Sequence, residues 1–179
     1  MKILAFAASN SSQSINGKLI GYATRLLEEG LVPDAEVTVL DLNDYEMPIY
    51  SSDRQEADGI PQAAHDFFTA IGAADAVVAS FAEHNGLYTA AYKNLFDWMS
   101  RIDMRVYQDT PVVFFATSPG GRGGKGVLQI AAGSGQFFGY EVKASLSVPS
   151  FFENVNPADG TITNPELNAQ FVAALETLR

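Results

Sequence analysis

The stretch Ser9-Asn10-Ser11-Ser12-Gln13-Ser14-Ile15-Asn16 crowds serine hydroxyls and asparagine amides into one short run. It follows an apolar segment, Ile3 to Ala8, and precedes apolar residues at Ile15, Leu19, Tyr22 and Leu26. That places it as a loop between a buried strand and a helix. Free backbone N–H groups at a helix N-terminus attract anions, and hydroxyl and amide side chains add donors at short reach. A phosphate monoester, with about two negative charges near neutral pH, suits such a cluster. Ordinary helix capping would also explain a Ser/Asn-rich loop; its position directly after the first buried strand favours phosphate. The loop carries neither G-x-x-x-x-G-K-[ST] nor G-x-G-x-x-G, which argues against a nucleotide triphosphatase and a Rossmann dinucleotide cradle.

A second candidate stretch is Ala82-Glu83-His84-Asn85-Gly86-Leu87. Asn85-Gly86 signals a tight turn, and a glycine here lets backbone approach a flat ring. His84 has the chemistry of an acid or base, but a flat side chain beside a ligand or a loop cap suits it better. Glu83 could serve as a general base, although a single loop carboxylate is more often solvated or capping. The third stretch, Ser118-Pro119-Gly120-Gly121-Arg122-Gly123-Gly124-Lys125-Gly126, is the most glycine-dense part of the chain. Arg122 and Lys125 are either surface charges or partners for a nucleotide phosphate.

The surrounding elements must bring these stretches together. Strands are expected at Ile3–Ala8, Glu36–Leu42, Ala76–Ser80, Pro111–Thr117 and Tyr140–Val148. Helical spacing joins Ile60, Ala64, Phe67 and Ile71, with Asp58 as candidate cap and Pro61 in the first turn. It also joins Tyr88, Tyr92, Leu95 and Met99, and later Leu167, Phe171, Leu175 and Leu178 behind Asn164-Pro165. Gly30 is a helix stop, Asp41 to Asp58 reads as a long loop, and a further helix runs from the Gly-rich stretch to about Phe138. Strand alternating with helix implies a doubly wound, three-layer α/β sandwich around a parallel sheet. With five strands the flavodoxin-like order 2-1-3-4-5 is expected, in one domain over residues 1–179. Ligands of such folds sit at the carboxyl ends of the strands, so the loops after strands one, three and four must converge there.

Composition narrows the function. The net charge of −10 opposes nucleic acid, whose phosphates need Lys and Arg. It suits solubility, or docking of a basic redox partner. The absence of Cys removes thiolate catalysis and disulfides, and two histidines, His65 and His84, are too few for a histidine cage. No apolar run reaches the roughly 20 residues of a membrane span. The N-terminus reads as a first strand rather than a signal peptide, so the cytoplasm is the expected compartment. Phe96, Trp98, Met99, Met104 and Tyr107 form an aromatic and Met-rich region, suited to core or to an oligomer interface. Phe137, Phe138, Phe151 and Phe152 are similarly ambiguous, and the last two could cover a site.

At the three loops the sequence resembles the NAD(P)H-dependent FMN reductase family. Ala8 to Asn16 is similar to its G-S-x-R-x-x-S-x-N pattern. Ala82 to Gly86, followed by Lys93-Asn94-Leu95-Phe96-Asp97-Trp98, is similar to P-E-Y-N followed by K-N-x-x-D-W. Ser118-Pro119-Gly120-Gly121 is similar to its S-P-G stretch, and the likeness runs from about Met1 to Pro149. The resemblance implies that Ser9, Ser11, Ser14, Ile15 and Asn16 hold the FMN phosphate. It implies that Glu83, His84, Asn85 and Gly86 border the isoalloxazine, largely through backbone, and that Ser118, Gly120 and Gly121 close the other edge. It further implies hydride transfer from NADPH or NADH to FMN, then to a quinone, azo compound, metal oxyanion or free flavin, in a homodimer or homotetramer. No catalytic side chain and no metal are required. An electron carrier of flavodoxin type, or a flavin-free assembly protein, is the alternative reading. The sequence departs from the pattern at Ser11, where the family has Arg, and at Ala82 and His84, where it has Pro and Tyr.

Overall fold

The computed structural model describes residues 1–179. Five parallel strands, β1 (Lys2–Ala8), β2 (Glu36–Leu40), β3 (Ala76–Phe81), β4 (Thr110–Thr117) and β5 (Tyr140–Val148), form one sheet in the order β2-β1-β3-β4-β5. The inner strands are mainly apolar because helices cover both faces. All six residues of β3 are buried.

Alternation along the strands sends side chains into two cores. Leu4, Phe6 and Ala8 join Phe67 of α3 (Gln62–Gly72), Tyr92 and Trp98 of α4 (Ala90–Ile102) and Leu128 of α5 (Lys125–Gly133). Ile3 and Ala5 face the other way, onto Leu19 and Ile20 of α1 (Ile15–Leu26) and Phe171 and Leu175 of the C-terminal helix, Pro165–Glu176. There the Phe171 ring stacks on Phe115 at 4.1 Å and on Tyr22 at 5.6 Å. This is the expected three-layer sandwich.

Several boundaries differ from expectation. The stretch Asp41–Asp58 is not a simple loop: it holds a 3-10 turn, Leu42–Tyr45, and the helix α2 (Ser52–Asp58). Ser51 caps α2, its Oγ accepting from Arg54 N at 3.2 Å. No residue of α2 is buried, so it has no apolar periodicity to read. Asp58 therefore ends α2 instead of capping α3, which starts behind Pro61 without a side-chain cap. The helix after the Gly-rich stretch is broken at Ser134 into α5 and the short α6 (Gly135–Phe138). After β5 comes another unforeseen turn of helix, α7 (Phe151–Asn154). The last helix, α8 (Pro165–Glu176), opens as read from sequence: Asn164 Oδ1 accepts from Glu166 N and Leu167 N. Gly30 adopts φ 98 at the end of a π turn, Leu27–Leu31, that follows α1.

Candidate active site

The register levels the strand ends. Ala7 pairs with Ser80, and Ser80 with Phe115, so the loops after β1, β3 and β4 leave at the same edge. Side chains then tie each loop to the other two. Asn16 Oδ1 accepts from Ser80 Oγ at 2.8 Å and from Thr117 N at 3.0 Å, while its Nδ2 donates to Thr117 O at 3.2 Å. Thr89 Oγ1 donates to Ala8 O at 3.0 Å and also caps α4 by accepting from Tyr92 N. Glu83 Oε2 accepts from Gly126 N at 3.0 Å and Val127 N at 3.3 Å.

The first loop is arranged as a donor cluster. Ser9 Oγ accepts from Ser11 N, Ser11 Oγ from Gln13 N, and Ser14 Oγ from Gly17 N as the cap of α1. A hydroxyl that accepts in this way keeps its own proton to donate. The amides of Ile15 and Asn16, in the first turn of α1, have no partner within the chain. Ser9, Ser11 and Ser14 line a cleft of about 320 Å³ that also takes in Lys18 and Asp41. A second cleft, about 270 Å³, is lined by Asn10, Tyr45, Met47, Ala91 and Leu95.

The other two loops offer backbone. Asn85 (φ 54) and Gly86 (φ 83) make the turn of a tiny hairpin, closed by His84 N to Leu87 O at 3.0 Å and Leu87 N to His84 O at 3.1 Å. A left-handed pair of this kind selects Asn-Gly. Ser118 Oγ donates to Gly120 O at 3.3 Å. The amides of Asn85, Gly86, Gly120 and Gly121 have no partner within the chain. A Cβ built on Gly86, Gly120 or Gly121 would meet nothing within 4 Å. A flat ring with carbonyl and imine edges fits such open backbone, and a phosphate fits the serine loop. The residues present thus fit FMN.

One assignment changes in detail, and two open ones are resolved. The Asn16 side chain is engaged on both its oxygen and its nitrogen and is 2% exposed, so it holds the strand ends together; what it offers a phosphate is its amide. Glu83 is a cap for α5, and neither its side chain nor that of exposed His84 is placed as a base. Phe151 is buried, while Phe152 stands 63% exposed. In the aromatic region Trp98, Met99 and Tyr107 are core and Met104 is exposed. Thr89, Ser80 and Thr117 do part of the tying and were missed. A fully buried serine inside the apolar run of β3, and a threonine opening α4, were the available signals.

Beside the second loop, Tyr88 packs on Tyr92 with centroids 5.1 Å apart, and Tyr92 and Tyr107 share a hydrogen bond of 2.9 Å. Burial pushes the Tyr88 phenol up to about 12 and raises those of Tyr92, Tyr107 and Tyr140 as well. No trio of His, Asp or Glu is gathered to hold a metal, and no helix is long and apolar enough to cross a membrane.

A parallel sheet in this order, with a serine-rich loop after β1 and two backbone-rich loops beside it, defines a flavodoxin-like α/β protein. Its nearer kinship comes from sequence. The family model described as NADPH-dependent FMN reductase matches residues 1–152, and the chain belongs to that family. It is accordingly an oxidoreductase that uses FMN and NAD(P)H. The chain is 25% identical over 185 residues to Probable NADPH:quinone oxidoreductase 2 of Oryza sativa subsp. japonica, covering 100% of this chain and 87% of that one. It is 25% identical over 124 residues to the quinone reductase of Escherichia coli (strain K12), covering 69% of this chain and 63% of that one. Among solved structures, FerB of Paracoccus denitrificans, a flavoenzyme NAD(P)H:(acceptor) oxidoreductase, superposes with a TM-score of 0.75 at 24% identity, covering 99% of this chain and 96% of that one. Azoreductase AzrA superposes at 0.68 with 17% identity, covering 99% of each. At these identities the structural likeness speaks for the fold.

Proposed function

We propose that the protein reduces small quinone-type or azo acceptors with NAD(P)H, using FMN held at the carboxyl edge of its sheet. The observation that carries this reading is the pairwise tying of three loops into one donor-lined edge. Ser9, Ser11 and Ser14 donate hydroxyl protons to the FMN phosphate, and Ile15 and Asn16 donate their amides. Asn85, Gly86, Gly120 and Gly121 present amides to the ring, with His84 and Ser118 at its margins. When bound, FMN supplies the acceptance of hydride and the onward transfer of electrons. The chain supplies orientation and electrostatics. Tyr88 stays protonated at neutral pH, its phenol being pushed up to about 12. The Glu83 carboxylate already accepts two amide protons, so neither group is poised as a proton acceptor.

The acceptor class is supported by the names of the quinone and azo reductases to which the chain is similar. A homodimer or homotetramer is supported by apolar side chains left open beside the site, Leu87 at 58% and Phe152 at 63% exposure. A cysteine-free chain needs no oxidising compartment to fold, in keeping with the cytoplasm. The test is to titrate the purified protein with FMN by flavin fluorescence and then follow NAD(P)H oxidation with and without a quinone. Binding followed by rapid turnover is expected. Absence of binding at high micromolar FMN would overturn the proposal, and slow NAD(P)H oxidation by the FMN-loaded protein would make it an electron carrier.

A further inference from the structure

The helix α5 starts without a cap of its own. The residue before it, Gly124, is left-handed at φ 73 and has no side chain to offer. The first turn of any helix leaves N–H groups unpaired. Here two of them are met from another loop, by Glu83 Oε2, which accepts from Gly126 N at 3.0 Å and Val127 N at 3.3 Å. The positive end of the helix dipole attracts a carboxylate at that place. Contact is close, since a Cβ on residue 126 would lie 3.2 Å from Glu83 Oε1.

This contact differs from the other ties at the site. Asn16 and Thr89 join loops to strand ends through neutral groups, deep in the fold. Glu83 is charged, half-buried, and joins the β3 loop to the helix that the Gly-rich β4 loop leads into. Those are the two loops whose free amides border the ring in the function proposed above, and the present inference rests on that reading. Across their gap, Glu83 is the side chain that binds one to the other.

We infer that Glu83 is a positioning residue: a latch that fixes the distance between the β3 and β4 loops and so the width of the berth for the flavin ring. It acts through the α5 amides and does not itself touch the flavin. Because the berth takes the ring and not the phosphate, the latch affects FMN and riboflavin alike. The serine loop distinguishes between them.

The experiment compares wild type, Glu83→Ala, Glu83→Gln and Ser14→Ala. FMN and riboflavin affinities are read by flavin-fluorescence quenching, at a temperature where circular dichroism shows each protein folded. Glu83→Ala is expected to weaken both flavins by the same factor, about tenfold, for two lost charge-assisted hydrogen bonds. Glu83→Gln keeps an acceptor oxygen and is expected to lose about threefold for both. Ser14→Ala is expected to weaken FMN while leaving riboflavin unchanged. In the flavin-free proteins, hydrogen exchange at Gly126 and Val127 is expected to speed up in Glu83→Ala, with β1 unaffected. Unchanged affinity for both flavins in Glu83→Ala, or a loss confined to FMN, overturns the latch. Should the alanine variant not fold, the glutamine variant decides on the same two readings. If the wild type binds neither flavin, it is the FMN reading that fails, and exchange at Gly126 and Val127 still reports whether Glu83 joins the loops.

Discussion

Replacing Ser14 with Ala removes the cap of α1, whose Oγ accepts from Gly17 N at 3.1 Å, and one hydroxyl donor of the phosphate loop. Stability is expected to fall by about 1 kcal/mol in urea unfolding. FMN affinity is expected to fall by a further ~1 kcal/mol in titration. Two positions on, Asn16→Ala acts differently. It strands Ser80 Oγ and both backbone groups of Thr117 inside the fold. The expected loss is about 2–4 kcal/mol of stability, with the weaker FMN binding following from displaced loops. Sequence alone ranked both residues as phosphate donors, because the distinction lies in where the side chains point. Asn16 meets partners 64 and 101 residues away, and no local spacing reveals that.

At the scale of elements, the strands were legible because continuous burial on both faces leaves unbroken apolar runs. The inner helices were legible because a half-buried helix shows its stripe. What escaped was structure without burial. Nothing in α2 touches a core, and α7 rests on only four residues. The capping of α5 was also hidden, since its donor and acceptor lie 43 residues apart. The α5 entrance is sterically exacting in another way. Gly124 sits at φ 73 with its would-be Cβ 2.9 Å from the Ala116 Cβ. Gly124→Ala is expected to cost about 1–3 kcal/mol, read as a lower Tm, and to weaken FMN by moving the loop before α5. Between α4, β4 and β5 the packed phenols set a pH limit. Tyr88 has its ordinary value of 10.0 raised to about 12, and Tyr92, Tyr107 and Tyr140 are raised too. Groups held neutral in this way stabilise the fold fully below the unfolded value, and the contribution is lost as pH climbs through the folded one. Urea midpoints are therefore expected to be insensitive to these phenols up to pH about 9 and to fall from there toward pH about 12; a midpoint unchanged at the alkaline end would contradict it.

Seen as a whole, the molecule places its family signature and its closing segment in different parts of the chain. The match to the FMN reductase family ends at residue 152. Yet Val155, Ile162, Phe171, Leu175 and Leu178, all beyond it, are buried against the same face of the sheet as α1. A chain stopped at residue 152 is expected to lose cooperative unfolding in calorimetry, since Phe115 and Tyr22 would face water where Phe171 now stacks on them. The family match and the buried core thus have separate borders here. The segment beyond residue 152 is bound, in its buried positions, to a wall it did not build.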